Sequence, residues 1–95
     1  MTDRVLISEE SVPRLYPHVK LRFNKQRNQW VVLAPERLLV PDEVSVEILQ
    51  KCDGEASVSV IVEALAEKYS APREVIGKDV TELLQGLADK GFILA

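Results

Sequence analysis

The stretch HVKLRFNKQRNQWVVLAPERLLV, residues 18–40, decides the fold. Residues 18–23 alternate polar and apolar side chains, which predicts a strand with one solvent-facing side. Residues 29–33, rich in Trp and Val, predict a second strand, and residues 36–40 predict a short third strand. A polar turn at 24–28 and the pair Ala34-Pro35 separate these three runs. Because consecutive strands with short connections usually pair with each other, we expect an antiparallel meander.

Beyond Pro41 the apolar residues recur about every 3.6 positions, which is typical of amphipathic helices. Asp42 is expected to cap a first helix that runs to about residue 52 and ends at Gly54, and Ser57 a second helix. Pro72 suits the first turn of a third helix. The inward stripes are expected to contain Val44, Ile48, Leu49 and Cys52, then Val58, Ile61, Val62, Leu65 and Tyr69, and finally Ile76, Val80, Leu83, Leu84 and Leu87.

This order of elements predicts an α+β fold, in which a three-stranded antiparallel sheet is followed by three helices, as in a winged helix-turn-helix domain. Residues 1–17 show neither period, so we expect an N-terminal arm, loosely held or flexible, before a single domain over 18–95. The second and third strands are apolar on both faces, although helices on one side can cover only one face. The arm, a second copy of the chain or a partner protein is expected to cover the other.

Few residues of the chain are suited to covalent or metal chemistry. One residue of the 95 is a cysteine, Cys52, and one is a histidine, His18. An intrachain disulfide and a zinc cluster of Cys and His are therefore excluded, and a Cys–His or Ser–His–Asp enzyme is disfavoured. We predict a non-enzymatic protein with no catalytic residue, no metal site and no cofactor. The apolar runs are too short to span a bilayer and the N-terminus has no signal-peptide pattern, so we expect a cytoplasmic protein with no membrane contact.

The charges argue against nucleic acid as the partner. The net charge is −3, from 12 basic and 15 acidic residues. A winged helix-turn-helix reads DNA through one helix, and Lys and Arg contacts with phosphates supply most of the affinity. The second and third predicted helices each carry one more acidic than basic side chain. An open sheet edge can instead accept an extended peptide. A small peptide-binding module is thus favoured, with a winged-helix transcriptional regulator or a small dimerisation module as alternatives.

Three segments of the sequence resemble the PqqD family, the D proteins of pyrroloquinoline quinone (PQQ) biosynthesis. They are KLRFNKQRNQWVVLAPER at 20–37, EILQKCDGEASVSVIVEALAEKY at 47–69 and APRE at 71–74. The resemblance covers about residues 13–94, and its more specific parts are residues 30–37 and 52–54. Pro41 and Val46 depart from the family pattern, as structural variations.

The resemblance implies a peptide chaperone that binds the precursor peptide PqqA and presents it to the radical S-adenosylmethionine enzyme PqqE, and that has no cofactor of its own. A homodimer is left open. In related recognition elements the leader peptide adds as a strand to the edge of the third strand and packs on the third helix. Carried over to this chain, the peptide-binding residues would be Glu36, Arg37, Leu38, Leu39 and Val40 on the strand, with Val75, Ile76, Asp79, Val80 and Leu83 on the helix.

Overall fold

The computed structural model describes residues 6–35 and 37–95, and these form five strands and three helices. In chain order they are β1 (Arg14–Leu15), β2 (Lys20–Asn24), β3 (Gln29–Ala34), β4 (Arg37–Leu39), α1 (Glu43–Gln50), α2 (Val58–Tyr69), α3 (Arg73–Asp89) and β5 (Ile93–Leu94). Within these residues, none of the helices combines the length and the apolar character needed to cross a membrane.

The three predicted strands form one antiparallel sheet with the order β2-β3-β4. Asn24 turns the chain between β2 and β3, because its side-chain oxygen accepts from the amides of Gln26 and Arg27. The meander, the following three helices and therefore the α+β class are confirmed. The more specific likeness to a winged helix-turn-helix stays a prediction.

A second, two-stranded sheet joins the two ends of the chain. Leu15 of β1 lies opposite Ile93 of β5, and the pairing is antiparallel. Within the segment predicted as an arm, Ile7 belongs to the hydrophobic core and Pro13 is fully buried. Residues 1–5 lie outside the described part of the chain. The described part of the arm is thus packed on the domain from residue 7 onward, and its mobility in solution stays a prediction.

Two of the helices begin where their capping residues predict. The Asp42 carboxylate accepts from the Ser45 amide at 2.7 Å, and the Ser57 hydroxyl accepts from the Val60 amide at 3.3 Å, which satisfies amides that lack an intrahelical partner. Helix α3 begins after Pro72. Gly54 does not end α1, whose last residue is Gln50. It adopts a left-handed backbone (φ +80°) close to Arg14, where its amide donates to the Pro13 carbonyl oxygen at 3.1 Å.

The core lies between the sheet and the helices. Val44 and Tyr69, which the helical stripes predict to be inward, are 49% and 44% exposed. Phe23 is on the same face of β2 as Leu21 but is 43% exposed. In helix α1, which spans only eight residues, Val46 is buried instead of Val44. The fully or nearly fully buried side chains of the core are Val19, Val32, Ile48, Leu49, Val58, Ile61, Val62, Leu65, Val80, Leu84, Leu87, Phe92 and Ile93.

Candidate functional site

Strand β4 is the terminal strand of its sheet, so only one of its two edges is paired within the described residues. Its partner is β3, with Val32 opposite Leu39 and Leu33 opposite Leu38. A strand in this position presents unpaired backbone N–H and C=O groups. The free edge of β4 is therefore able to accept another strand.

A cleft of about 340 Å³ lies between the end of β4 and the C-terminal half of α3, and the start of α1 closes one side of it. Most of its lining residues are apolar, and the polar ones are Asp42, Ser45, Glu82 and Lys90. The lining residues are Leu39, Val40, Pro41, Asp42, Ser45, Leu49, Glu82, Leu83, Gly86, Leu87 and Lys90. An extended peptide at the β4 edge would place every second side chain toward this cleft.

Arg37 connects β4 to the end of α3. Its guanidinium donates to the carbonyl oxygen of Lys90, and lies 5.7 Å from the centre of the Phe92 ring. A cation at the C-terminus of a helix is favoured, because the carbonyl groups there are unsatisfied and carry partial negative charge. Arg37 thus links β4 to the C-terminus of α3, the two elements between which the cleft lies.

The lining of the cleft carries charge of both signs. Asp42 lines one side, where hydrogen bonds from Ser45, first from its backbone amide, hold the pKa of the carboxyl below its ordinary value. Glu82 and Lys90 stand on the α3 side. The cleft therefore offers a peptide a carboxylate near the start of α1 and the Lys90 side chain at the end of α3.

The structure brings together only part of the set of peptide-binding residues predicted from the sequence. Leu39, Val40 and Leu83 line the cleft together. Leu38 belongs to the opposite face of the sheet and is 63% exposed. Glu36 lies outside the described residues. Which of these residues contact a peptide stays a prediction.

The other four predicted residues of α3 lie nearer its start. Ile76, Asp79 and Val80 line a separate apolar pocket of about 170 Å³ whose other walls come from Val44, Ile48, Leu65 and Tyr69 of α1 and α2. Val75 is exposed. Of the predicted helix residues, Leu83 therefore lines the cleft, whereas Ile76, Asp79 and Val80 line a different pocket.

Sequence reasoning missed the part of the cleft that follows Leu83 along α3. Gly86, Leu87 and Lys90 all line it. The available signal was the helical period, because positions three, four and seven residues beyond Leu83 return to the same face of the helix.

Cys52 and His18, which the sequence singles out as the one cysteine and the one histidine, both lie outside the cleft. Cys52 is buried, which raises the pKa of its thiol to about 12, and its Sγ donates to the Ile48 carbonyl oxygen at 3.2 Å. The His18 ring stacks on the Tyr16 ring, with 5.3 Å between the ring centres. Among the described residues, His, Cys, Asp and Glu side chains do not form any group of three that could hold a metal ion.

Comparison with known proteins gives a consistent family. Residues 29–93 match the family model of coenzyme PQQ synthesis protein D (PqqD). The chain is 57% identical over 89 residues to a protein of Rhodopseudomonas palustris (strain BisB5) named PqqA binding protein, in an alignment that covers 94% of this chain and 87% of the relative.

Two solved structures are also similar to the chain. One is the solution NMR structure of the PqqD truncation of Methylobacterium extorquens PqqCD, described as a functional, stand-alone recognition element for ribosomally synthesised, post-translationally modified peptides. It matches with a TM-score of 0.80 and 39% identity over 94% of this chain and 95% of that one. The other is the crystal structure of PqqD from Xanthomonas campestris, with a TM-score of 0.56 and 38% identity over 88% and 93% of the two chains.

Proposed function

The chain belongs to the PqqD family, and from this membership we propose that it binds the precursor peptide PqqA and presents it to the radical S-adenosylmethionine enzyme PqqE. The relatives named PqqA binding protein support the first half of this proposal. The stand-alone recognition element from Methylobacterium extorquens supports a peptide-binding domain that works without an enzyme fused to it. In this chain, residues 18–95 would form that domain.

The observation that carries the proposal is the free edge of β4 beside the cleft. A peptide that pairs with this edge gains main-chain hydrogen bonds, each worth about 0.5–1.5 kcal/mol net. Its alternate side chains enter the cleft beside Leu39, Val40 and Leu83. Apolar burial contributes about 25 cal/mol per Å², so a few side chains that bury a few hundred Å² supply the larger part of the affinity.

In this role the chain carries and positions a substrate, and the chemistry belongs to the enzyme that it serves. It requires no cofactor and no catalytic residue of its own, and it acts in the cytoplasm with PqqA and PqqE. The buried, high-pKa thiol of Cys52 and the stacked ring of His18 are consistent with structural roles for both.

Gly86 allows a direct test, because it lines the cleft and a Cβ added there would meet no atom within 4 Å. Gly86→Leu therefore fills the cleft from the helix side. Replacing a helical glycine also stabilises a helix by about 0.5–1 kcal/mol, so the fold should not weaken. We expect the dissociation constant for PqqA, measured by isothermal titration calorimetry, to rise by about tenfold or more.

Gly77→Ala is the matched control in the same helix. Its added Cβ would lie 3.6 Å from Val62 Cγ1, an ordinary contact, and away from the cleft. This variant should bind PqqA like the wild type and should support the conversion of PqqA by PqqE, whereas Gly86→Leu should support it poorly. Unchanged PqqA binding by a folded Gly86→Leu protein would place the peptide elsewhere and contradict the proposal.

A further inference from the structure

The outer face of the sheet, which points away from the helices, carries apolar and basic side chains in adjacent columns. Lys20 of β2 lies opposite Leu33 of β3, and Leu33 lies opposite Leu38 of β4. In the next row Arg22 lies opposite Val31. We call these five residues the outer patch. Because side chains alternate along a strand, they share one face, while Leu21, Val32 and Leu39 share the other.

The outer patch is not part of the core. Leu33 and Leu38 are 38% and 63% exposed, and Val31, although buried, does not belong to the core cluster. On the inner face, by contrast, Val32 is in the core, and Leu21 and Leu39 pack against it. The helices therefore cover one face of these strands, while Leu33 and Leu38 on the other face are exposed and available to an external partner.

The charge of this face restricts the chemistry of that partner. Residues 18–34 contain Lys20, Arg22, Lys25 and Arg27 and no acidic residue. Residues 41–95 contain eleven of the fifteen acidic residues of the chain, among them the carboxylates of the three helices. A complementary surface would present apolar side chains bordered by carboxylates.

A second copy of the chain fits this face poorly. Packing two outer patches together would bring the Lys20 and Arg22 side chains of both copies into one small interface without carboxylates from either sheet. Packing the outer patch on the acidic helices of another copy would join two different surfaces. Such heterologous contacts build open chains of subunits unless the rotation between neighbours closes them into a ring. For any partner, the two exposed leucines supply only a part of the roughly 800 Å² that each side of a stable interface buries. A stable partner on this face therefore also contacts Lys20 and Arg22.

We propose that the outer patch docks a folded protein partner through an apolar surface bordered by carboxylates. Resting on the proposed function, this partner is the enzyme that receives the peptide. Consecutive residues of β4 then serve two ligands, because Leu39 faces the cleft and Leu38 faces the opposite side. The enzyme can bind the sheet face while the peptide occupies the edge and the cleft, so neither ligand has to displace the other.

The test uses Leu33→Thr and Lys20→Glu, two changes at directly opposite positions of the outer patch. Threonine keeps the β propensity of the strand, and Leu33 lies outside the cleft. The controls are Val60→Thr, at an exposed valine of α2, and Lys78→Glu, which makes the same change in net charge on α3. Amide spectra verify the fold of each variant, and biolayer interferometry with immobilised PqqE measures binding.

We expect the dissociation constant for PqqE to rise by about tenfold in each outer-patch variant and by less than about twofold in each control. The affinity for PqqA should stay at the wild-type value in all four proteins. If the wild type binds PqqE but not PqqA, the peptide half of the proposed function fails and the docking surface stands.

Other results would overturn the inference. The enzyme would not bind this face if both outer-patch variants bound PqqE with the affinity of the wild type, or if the wild type did not bind PqqE at all. Light scattering that shows a wild-type dimer and a monomeric Leu33→Thr protein would assign the face to a second copy. Co-sedimentation of the wild type with phosphatidylglycerol vesicles, lost in Leu33→Thr while PqqE binding persists, would assign it to a lipid surface. Loss of PqqA binding alone would make it part of the peptide site.

Discussion

The thiol of Cys52 is inaccessible and protonated at neutral pH. Burial, with a smaller contribution from Asp53, raises its pKa to about 12. Since the thiolate is the nucleophile, thiol reagents should label Cys52 only when the protein unfolds. We predict no reaction of the native protein with Ellman's reagent at pH 8 over hours, and one equivalent of reaction in guanidinium chloride. Rapid labelling of the native protein would show that the helix α1 end opens locally.

At the level of single residues, polar and apolar types that alternate in the sequence, as in β2, correctly predicted which face of the sheet each side chain occupies, although Phe23 on the inner face is 43% exposed. It could not orient β4, because Leu38, Leu39 and Val40 are all apolar, and only the register with β3 places Leu39 inward. The role of Arg37 was also beyond the sequence. Its partner, the Lys90 carbonyl oxygen, lies 53 positions away in the chain.

Helices α1 and α2 are joined at the surface by Glu47. Its carboxylate accepts from Lys68 Nζ at 2.7 Å and from the Tyr69 hydroxyl. These hydrogen bonds, of which the one from Lys68 has the larger effect, hold the pKa of Glu47 below its ordinary value of 4.5. The same bonds raise the pKa values of Lys68 and Tyr69. A lowered carboxyl pKa contributes stability above pH 4.5 that is lost as the pH falls, and raised Lys and Tyr pKa values contribute stability that is lost at alkaline pH.

We therefore predict that Glu47→Gln lowers the melting temperature by a few degrees at pH 7 and that the difference from the wild type disappears near pH 3. Circular dichroism melts across this range give the measurement. Glu43→Gln serves as the control, because Glu43 is an exposed residue of the same helix. A difference between wild type and Glu47→Gln that persists at pH 3 would mean that packing, and not the ionised carboxylate, is responsible.

Among the elements, the sequence predicted those with strong local signals. The caps at Asp42 and Ser57 and the long stripe of α3 located the helices. Strands β1 and β5 have two residues each, which is too short for any period to appear. Tyr69 follows the stripe of α2 but ends at the surface, because its hydroxyl reaches Glu47 on the neighbouring helix.

On the scale of the whole molecule, the segment before β1 is bonded to the starts of α2 and α3. The N-terminal segment supplies carbonyl oxygens to the start of α2, where Val58 N donates to Ser11 O at 2.8 Å and Ser59 N to Glu9 O at 2.9 Å. These are helix amides that lack intrahelical partners. The Glu9 side chain also pairs with Arg73 at the start of α3. Such long-range contacts leave no periodic trace in the sequence, so the absence of a period in residues 1–17 gave no sign of them, and the mobility of the arm in solution stays a prediction.

Adjacent residues of that segment provide the last test. Ile7 is 7% exposed and belongs to the core, whereas Leu6 is 70% exposed. Truncating a buried isoleucine to alanine costs about 2 kcal/mol or more, because it removes buried apolar surface and leaves a cavity. We predict that Ile7→Ala lowers the free energy of unfolding in urea by about this amount and accelerates amide exchange at Val58 and Ser59, while Leu6→Ala changes neither. Equal behaviour of the two variants would mean that the N-terminal segment is a mobile arm in solution, and that the domain is stable without it.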